Sequence, residues 1–196
     1  VLPALEAMIQ YLVRPGSPVI VPTPAYMPFL TIPPALGHSV IEVPSLHGEA
    51  YPGGWTLDLD GIKAGLEAGA GLVILCNPWN PVGRVLTEAE MRALQELVSH
   101  YDALVFSDEI HSPLVLGGRD FVSYARMGAE FASHTITATA ATKGWNIAGL
   151  PNAQVIIPDE GLRERWDCIC QEKLPHSMST IGALGSIEAY TNGDEW

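Results

Sequence analysis

The chain has 196 residues, 47% of them hydrophobic, and its 22 acidic against 10 basic side chains give a formal net charge of −12. That length suffices to bury one α/β core, and so acidic a field repels phosphate backbones and anionic lipid, so neither nucleic acid nor a membrane is an expected partner. No apolar run approaches the roughly 20 residues needed to cross a bilayer, no basic leader precedes an apolar stretch, and three cysteines build no disulfide framework, which points to a reducing cytoplasm.

The chain opens without Met and already inside a helical pattern. Leu5, Met8, Ile9 and Leu12 recur at helical spacing over 3–14, and Pro15-Gly16 ends them. Short β-branched runs follow at 19–21, 40–43, 72–76, 104–107, 135–140 and 154–157. Most are apolar on both faces, as strands of a parallel sheet covered by helices are. Helical patterns lie between several of them. Asp58 or Asp60 caps one that ends at Gly69-Ala70-Gly71, and Thr87-Glu88-Ala89-Glu90 is a capping box for another reaching about Tyr101. Further helices are expected over 159–173 and 180–191, with long loops at 44–56 and 112–126. Alternating strands and helices predict an α/β three-layer sandwich with a mostly parallel sheet. Cys168 and Cys170 make at most half a zinc site, and no second Cys/His pair stands at suitable spacing, so no metal is expected.

In such sheets ligands gather beyond the carboxyl ends of the strands. Four segments put unusual polar groups there: Pro22 to Tyr26, Asn77-Pro78-Trp79-Asn80-Pro81-Val82-Gly83, Ser107-Asp108-Glu109-Ile110-His111, and Thr142 to Leu150 with Lys143. Taken singly each has an ordinary structural explanation: a turn with a half-buried ring, a rigid Asn/Pro loop, a helix cap, a solvated lysine. Together, in this order and at one sheet edge, they point to a site.

The blocks NPWNPVG (77–83), SDEIH (107–111) and TKGWNIAGL (142–150) resemble the fold-type I pyridoxal-phosphate (PLP) enzymes of the aminotransferase class I/II superfamily, and the likeness runs over essentially all 196 residues. The resemblance implies that Lys143 is the catalytic lysine that links covalently to PLP and then moves the substrate Cα proton. It implies that Asp108 pairs with the pyridine nitrogen, Asn80 donates to the ring 3-oxygen, and Tyr26 stacks on the ring. His111 stands where many aminotransferases place a Tyr that also reaches the 3-oxygen. Ala140 and Pro151 replace the family's usual phosphate-binding Ser and Arg, and Thr139 or Thr142 is expected to donate instead.

The Asp-Glu-Ile-His block and the Asn-Ile-Ala-Gly-Leu tail are similar to the cystathionine β-lyase (C–S lyase) branch, which implies α,β-elimination on an S-substituted cysteine to give thiol, pyruvate and ammonia. An aminotransferase would use the same residues, and a non-catalytic PLP-fold module or inactive fragment is the reading from another class. The chain is read as the PLP-binding large domain of a homodimeric enzyme acting on a small amino acid, cut from a longer protein without its N-terminal segment and C-terminal small domain. His176 is a candidate for the subunit interface.

Overall fold

A computed structural model describes residues 1–116, 120–170, 174 and 178–196. Its frame is a six-stranded sheet: β1 (Val19–Thr23), β2 (Val40–Pro44), β5 (Leu72–Cys76), β6 (Leu104–Asp108), β7 (Thr135–Thr139) and β8 (Gln154–Ile156), in the order β2-β1-β5-β6-β7-β8. All neighbours run parallel except β8, which lies antiparallel to β7. These are the six runs expected from the sequence, with Asp108 now the last residue of a strand.

The strands are apolar on both faces because each face has its own core. Val19, Val21, Leu72, Ile74, Phe106 and Ile136 point to one side, against α1 (Leu2–Tyr11), α2 (Pro28–Ala35) and α7 (Glu160–Cys170). The alternate residues Ile20, Val73, Leu75 and Val105 point to the other, against α3 (Leu59–Glu67), α4 (Glu88–His100) and α5 (Ala129–Ala132). The period-2 alternation of a pleated strand thus serves two helical layers at once. The result is the three-layer α/β sandwich.

Helix ends follow the sequence signals. Asp58 caps α3 by accepting from the Gly61 N–H at 3.0 Å. At α4 both halves of the capping box form: Thr87 Oγ1 accepts from Glu90 N at 3.3 Å, and Glu90 Oε2 accepts from Thr87 N at 2.9 Å. Two elements depart from expectation. The stretch 44–56 is not all loop, because β3 (Leu46–His47) pairs antiparallel with β4 (Trp55–Thr56). And α2 forms despite Pro33 and Pro34 inside it, since buried Phe29 and Pro33 pack it against α1 and β1. α8 (Thr180–Asn192) closes the chain much as expected. The end of the helix expected over 159–173, and His176, lie outside the described residues. Among the described residues no helix is long and apolar enough to cross a membrane.

Candidate active site

The sheet changes winding direction between β1 and β5: from β1 the chain adds β2 on one side, and β5, β6 and β7 continue on the other. A crevice opens at such a switch point, outside the carboxyl ends of the strands. A cavity of about 200 Å³ lies there, and Tyr26, Asn80, Asp108, His111 and Lys143 all line it. Five of the seven residues singled out from the sequence therefore meet in one place.

Each arrives by a different element. Tyr26 follows β1 and packs edge-on against Phe29 of α2, with ring centroids 5.5 Å apart. Asn80 rides the 77–86 loop after β5. That loop is pinned at its base, where Asn77 Oδ1 accepts from Leu86 N at 3.0 Å, and Arg84 Nη1 donates to Glu90 Oε1 at 2.7 Å. Lys143 lies on α6 (Ala141–Gly144), a single turn directly after β7. Two indoles fasten that turn to the far end of α8: Trp145 Nε1 donates to Gly193 O at 3.0 Å, and Trp196 Nε1 donates to Gly144 O at 2.9 Å. Gly144 itself lies so close to Pro113 that a Cβ there would come within 2.7 Å of the proline ring.

Asp108 is 4% exposed. Its Oδ1 accepts from Ile110 N at 3.1 Å, while Oδ2 has no donor among the described residues. Burial raises its pKa from the ordinary 3.8 to about 6; the Ile110 N–H and, more weakly, the Val1 amino group oppose that shift. A buried carboxylate with one open oxygen facing a cavity suits a cationic N–H of a ligand. Burial, reinforced by the charge of Lys143, lowers the His111 pKa, so the imidazole is neutral at pH 7. Lys143 forms no salt bridge among the described residues, so its amine is uncommitted.

The two threonines differ from the other five. Thr139 Oγ1 donates to Glu109 O at 3.2 Å, tying the end of β7 to the residue after Asp108. Thr142 lines an adjoining cavity of about 500 Å³ together with Ala140 and Pro151. Sequence reasoning did not single out Cys76 or Ile110, which also line the smaller cavity. Cys76 was legible in principle: it ends β5 in register with Asp108. Burial, then the Asp108 charge, pushes its thiol up to about 12, so it stays protonated. Glu109 was also missed. It is buried, and its Oε1 accepts from Ser107 Oγ, Ser123 Oγ and Tyr124 N, which fastens the segment around 123 to the end of β6.

The switch point of the sheet thus gathers an amine, a buried acid, an amide and a ring around one cavity. The chain belongs to the aminotransferase class I and II family, whose model matches residues 3–169. It is 34% identical over 196 residues to a cystathionine beta-lyase of Corynebacterium glutamicum, covering all of this chain and 50% of that protein. The fold is matched by cystalysin from Treponema denticola, which contains a pyridoxal 5'-phosphate cofactor: TM-score 0.89, 28% identity, 99% of this chain and 49% of that one. A PLP-bound C-S lyase from Staphylococcus hominis matches with TM-score 0.86 and 26% identity over 98% of this chain and 48% of that one. The chain spans about half the length of these proteins.

Proposed function

We propose that the protein is a PLP-dependent carbon–sulfur β-lyase that cleaves cystathionine or a related S-substituted cysteine. The observation that carries this reading is the meeting of Lys143 and Asp108 in one cavity, together with Asn80, His111 and Tyr26. The likeness to a cystathionine beta-lyase supports the lyase over the aminotransferase reading.

The donor set fits the cofactor. Oδ2 of Asp108, which has no donor among the described residues, would accept the pyridine N–H, and that cationic partner would offset the charge that burial disfavours. Asn80 and His111 would hold the 3-oxygen, and Tyr26 would stack on the ring. Thr142, in the adjoining cavity, is the side chain proposed to reach the phosphate. Thr139 remains a second candidate, although its hydroxyl is engaged with Glu109 O. When bound, PLP supplies the electron sink that stabilises negative charge at the substrate Cα.

The chain's residues then act in sequence. Lys143 is the residue that would hold the cofactor covalently, and its amine, when free, would take the Cα proton. The Cβ–S bond breaks with its electron pair leaving on sulfur as a thiolate, which takes up a proton. The 2-aminoacrylate that remains adds water and yields pyruvate and ammonia. Asp108, by holding the ring nitrogen protonated, sets how well Cα charge is accommodated; neutral His111 takes part by hydrogen bonding.

On the relatives' length, the 196 residues are proposed to be the cofactor-binding domain of a longer protein. A homodimer is proposed as well, supported by Ile181, Leu184 and Ile187 standing 61–66% exposed on α8. The cytoplasmic assignment draws on the free thiols of Cys76 and Cys168.

The test is pyruvate release from cystathionine by the PLP-loaded full-length protein, with no keto-acid acceptor present. Acceptor-independent pyruvate that disappears in Lys143→Ala is expected. Turnover that depends on an added keto acid would instead establish the aminotransferase.

A further inference from the structure

β1 and β5 lie side by side at the switch point, and their register runs from Val19–Leu72 to Ile20–Val73 and ends there. Each strand then continues along its other neighbour, β1 as far as Thr23–Pro44 and β5 as far as Cys76–Asp108. The carboxyl ends of the two strands therefore part, and the loops bearing Tyr26 and Asn80 leave from opposite sides of the gap. Without a tie, two side chains that must contact one ligand would each follow its own loop.

Trp79 crosses that gap. Its backbone is fixed on the Asn80 side, where its N–H donates to Arg84 O at 2.8 Å and its carbonyl accepts from Gly83 N at 2.7 Å. Its side chain is 4% exposed, sits edge-on to Trp55 at 6.5 Å, and closes the crevice to a void of about 10 Å³ beneath Pro22, Ala25 and Phe29. Its indole Nε1 donates to Pro24 O at 3.0 Å. The donor directly precedes Asn80, and the acceptor lies two residues before Tyr26.

We infer that Trp79 is a positioning residue: its indole N–H ties the Tyr26 turn to the Asn80 loop across the parted ends of β1 and β5, so both side chains meet one ligand from fixed directions. The ligand's identity rests on the PLP reading above. Filling the crevice needs only a ring of this size; joining the loops needs the N–H. Those two roles separate in Trp79→Phe, which keeps an aromatic ring, removes the donor and leaves Pro24 O unpaired.

The experiment uses the full-length protein and two readouts: PLP affinity, titrated by the visible absorbance of the lysine-linked cofactor, and the pH midpoint of that band. A donor held on the cofactor's 3-oxygen draws charge from it and makes the neighbouring lysine-linked nitrogen more acidic. Loosening Asn80 therefore moves the midpoint up. Trp79→Phe is expected to weaken PLP binding about three- to tenfold, the scale of one lost hydrogen bond, and to raise the midpoint. Trp55→Phe, which alters only the packing partner, is expected to change neither. Placed on Asn80→Ala, Trp79→Phe is expected to add no further midpoint shift, because its effect passes through Asn80.

A folded Trp79→Phe with the wild-type affinity and midpoint overturns the inference, as does a midpoint shift that persists undiminished on Asn80→Ala. Should Trp79→Phe fail to fold, Trp79→His, whose ring N–H reaches less far, takes its place with the same expected direction. A wild-type protein that develops no band with PLP overturns the cofactor reading and this inference with it. A wild-type band that Trp79→Phe leaves untouched overturns the inference alone.

Discussion

Asp108 carries its charge against the cost of burial. Its folded-state pKa of about 6 lies above the ordinary 3.8, so the folded protein holds this proton more tightly than the unfolded chain does. The group is neutral in its effect below about pH 4 and increasingly destabilising as pH rises through about 6. Asp108→Asn removes that cost while keeping the shape. In the cofactor-free protein the variant is expected to be more stable than wild type at pH 7, by on the order of 1–3 kcal/mol, and no more stable at pH 4. Thermal unfolding at the two pH values measures it, and a difference independent of pH would contradict the assignment. The same variant should lose the lysine-linked absorbance or its catalytic consequence, because a neutral amide cannot keep the ring nitrogen protonated.

Glu90 shows the opposite sign. Burial works against its charge, but hydrogen bonds from Arg84, Thr56 and Thr87 outweigh it and hold the carboxyl at about 2. Its stabilising contribution is present above the ordinary 4.5 and is lost as pH falls toward 2. Acid titration of Glu90→Gln should accordingly show less loss of stability between pH 4 and 2 than wild type; a parallel curve would show that the network around Arg84 is not what holds the Asn80 loop.

At the scale of elements, α4 and α6 bear on the site in different ways. α4 starts at the end of the Asn80 loop, and its capping box joins the two. Thr87→Ala removes one half and is expected to cost about 1 kcal/mol in chemical denaturation; no change would mean that Glu90 alone keeps the helix end closed. α6 is a single turn, too short to hold Lys143 by its own hydrogen bonds, and it depends on the fit of Gly144 against Pro113. In Gly144→Ala the added methyl group forces α6 away from the 112–114 turn. About 1–3 kcal/mol of destabilisation is expected, with weaker retention of PLP on gel filtration, since Lys143 and His111 flank that contact. Wild-type retention would show that the turn tolerates the shift.

The same elements show where sequence reading works and where it stops. The six strands of the large sheet were legible because burial on both faces leaves unbroken β-branched runs, as in Leu72–Cys76. The caps at Asp58 and Thr87 were legible because capping is local chemistry. α2 was not, since Pro33 and Pro34 argue against a helix whose support is tertiary: Phe29 buried between α1 and β1. The hairpin of β3 and β4 is two residues a side, too short for an alternating pattern to register.

For the whole molecule, the positions of Tyr26, Asn80, Asp108, His111 and Lys143 were legible as motifs, but their convergence depends on the strand order β1-β5-β6-β7, which no local pattern encodes. The tie from Trp79 to Pro24 spans 55 positions and was likewise beyond reach. Thr139 illustrates the reverse: its type and place suit a phosphate donor, yet the fold turns its hydroxyl to the Glu109 carbonyl. The exposed face of α8 is the dimer contact proposed above. Ile181→Glu with Ile187→Glu should shift the full-length protein to a smaller species in sedimentation; an unchanged species would place the dimer contact elsewhere.

The central claim is that the amine at position 143 and the acid at position 108 grip one cofactor. It is tested most directly by loading the full-length protein with PLP, reducing it with borohydride, and locating the pyridoxyl mass by peptide mapping. A single label on Lys143, absent when Asp108→Ala fails to retain the cofactor, is the predicted result. Label on Lys63, or no label on this chain at all, would contradict it.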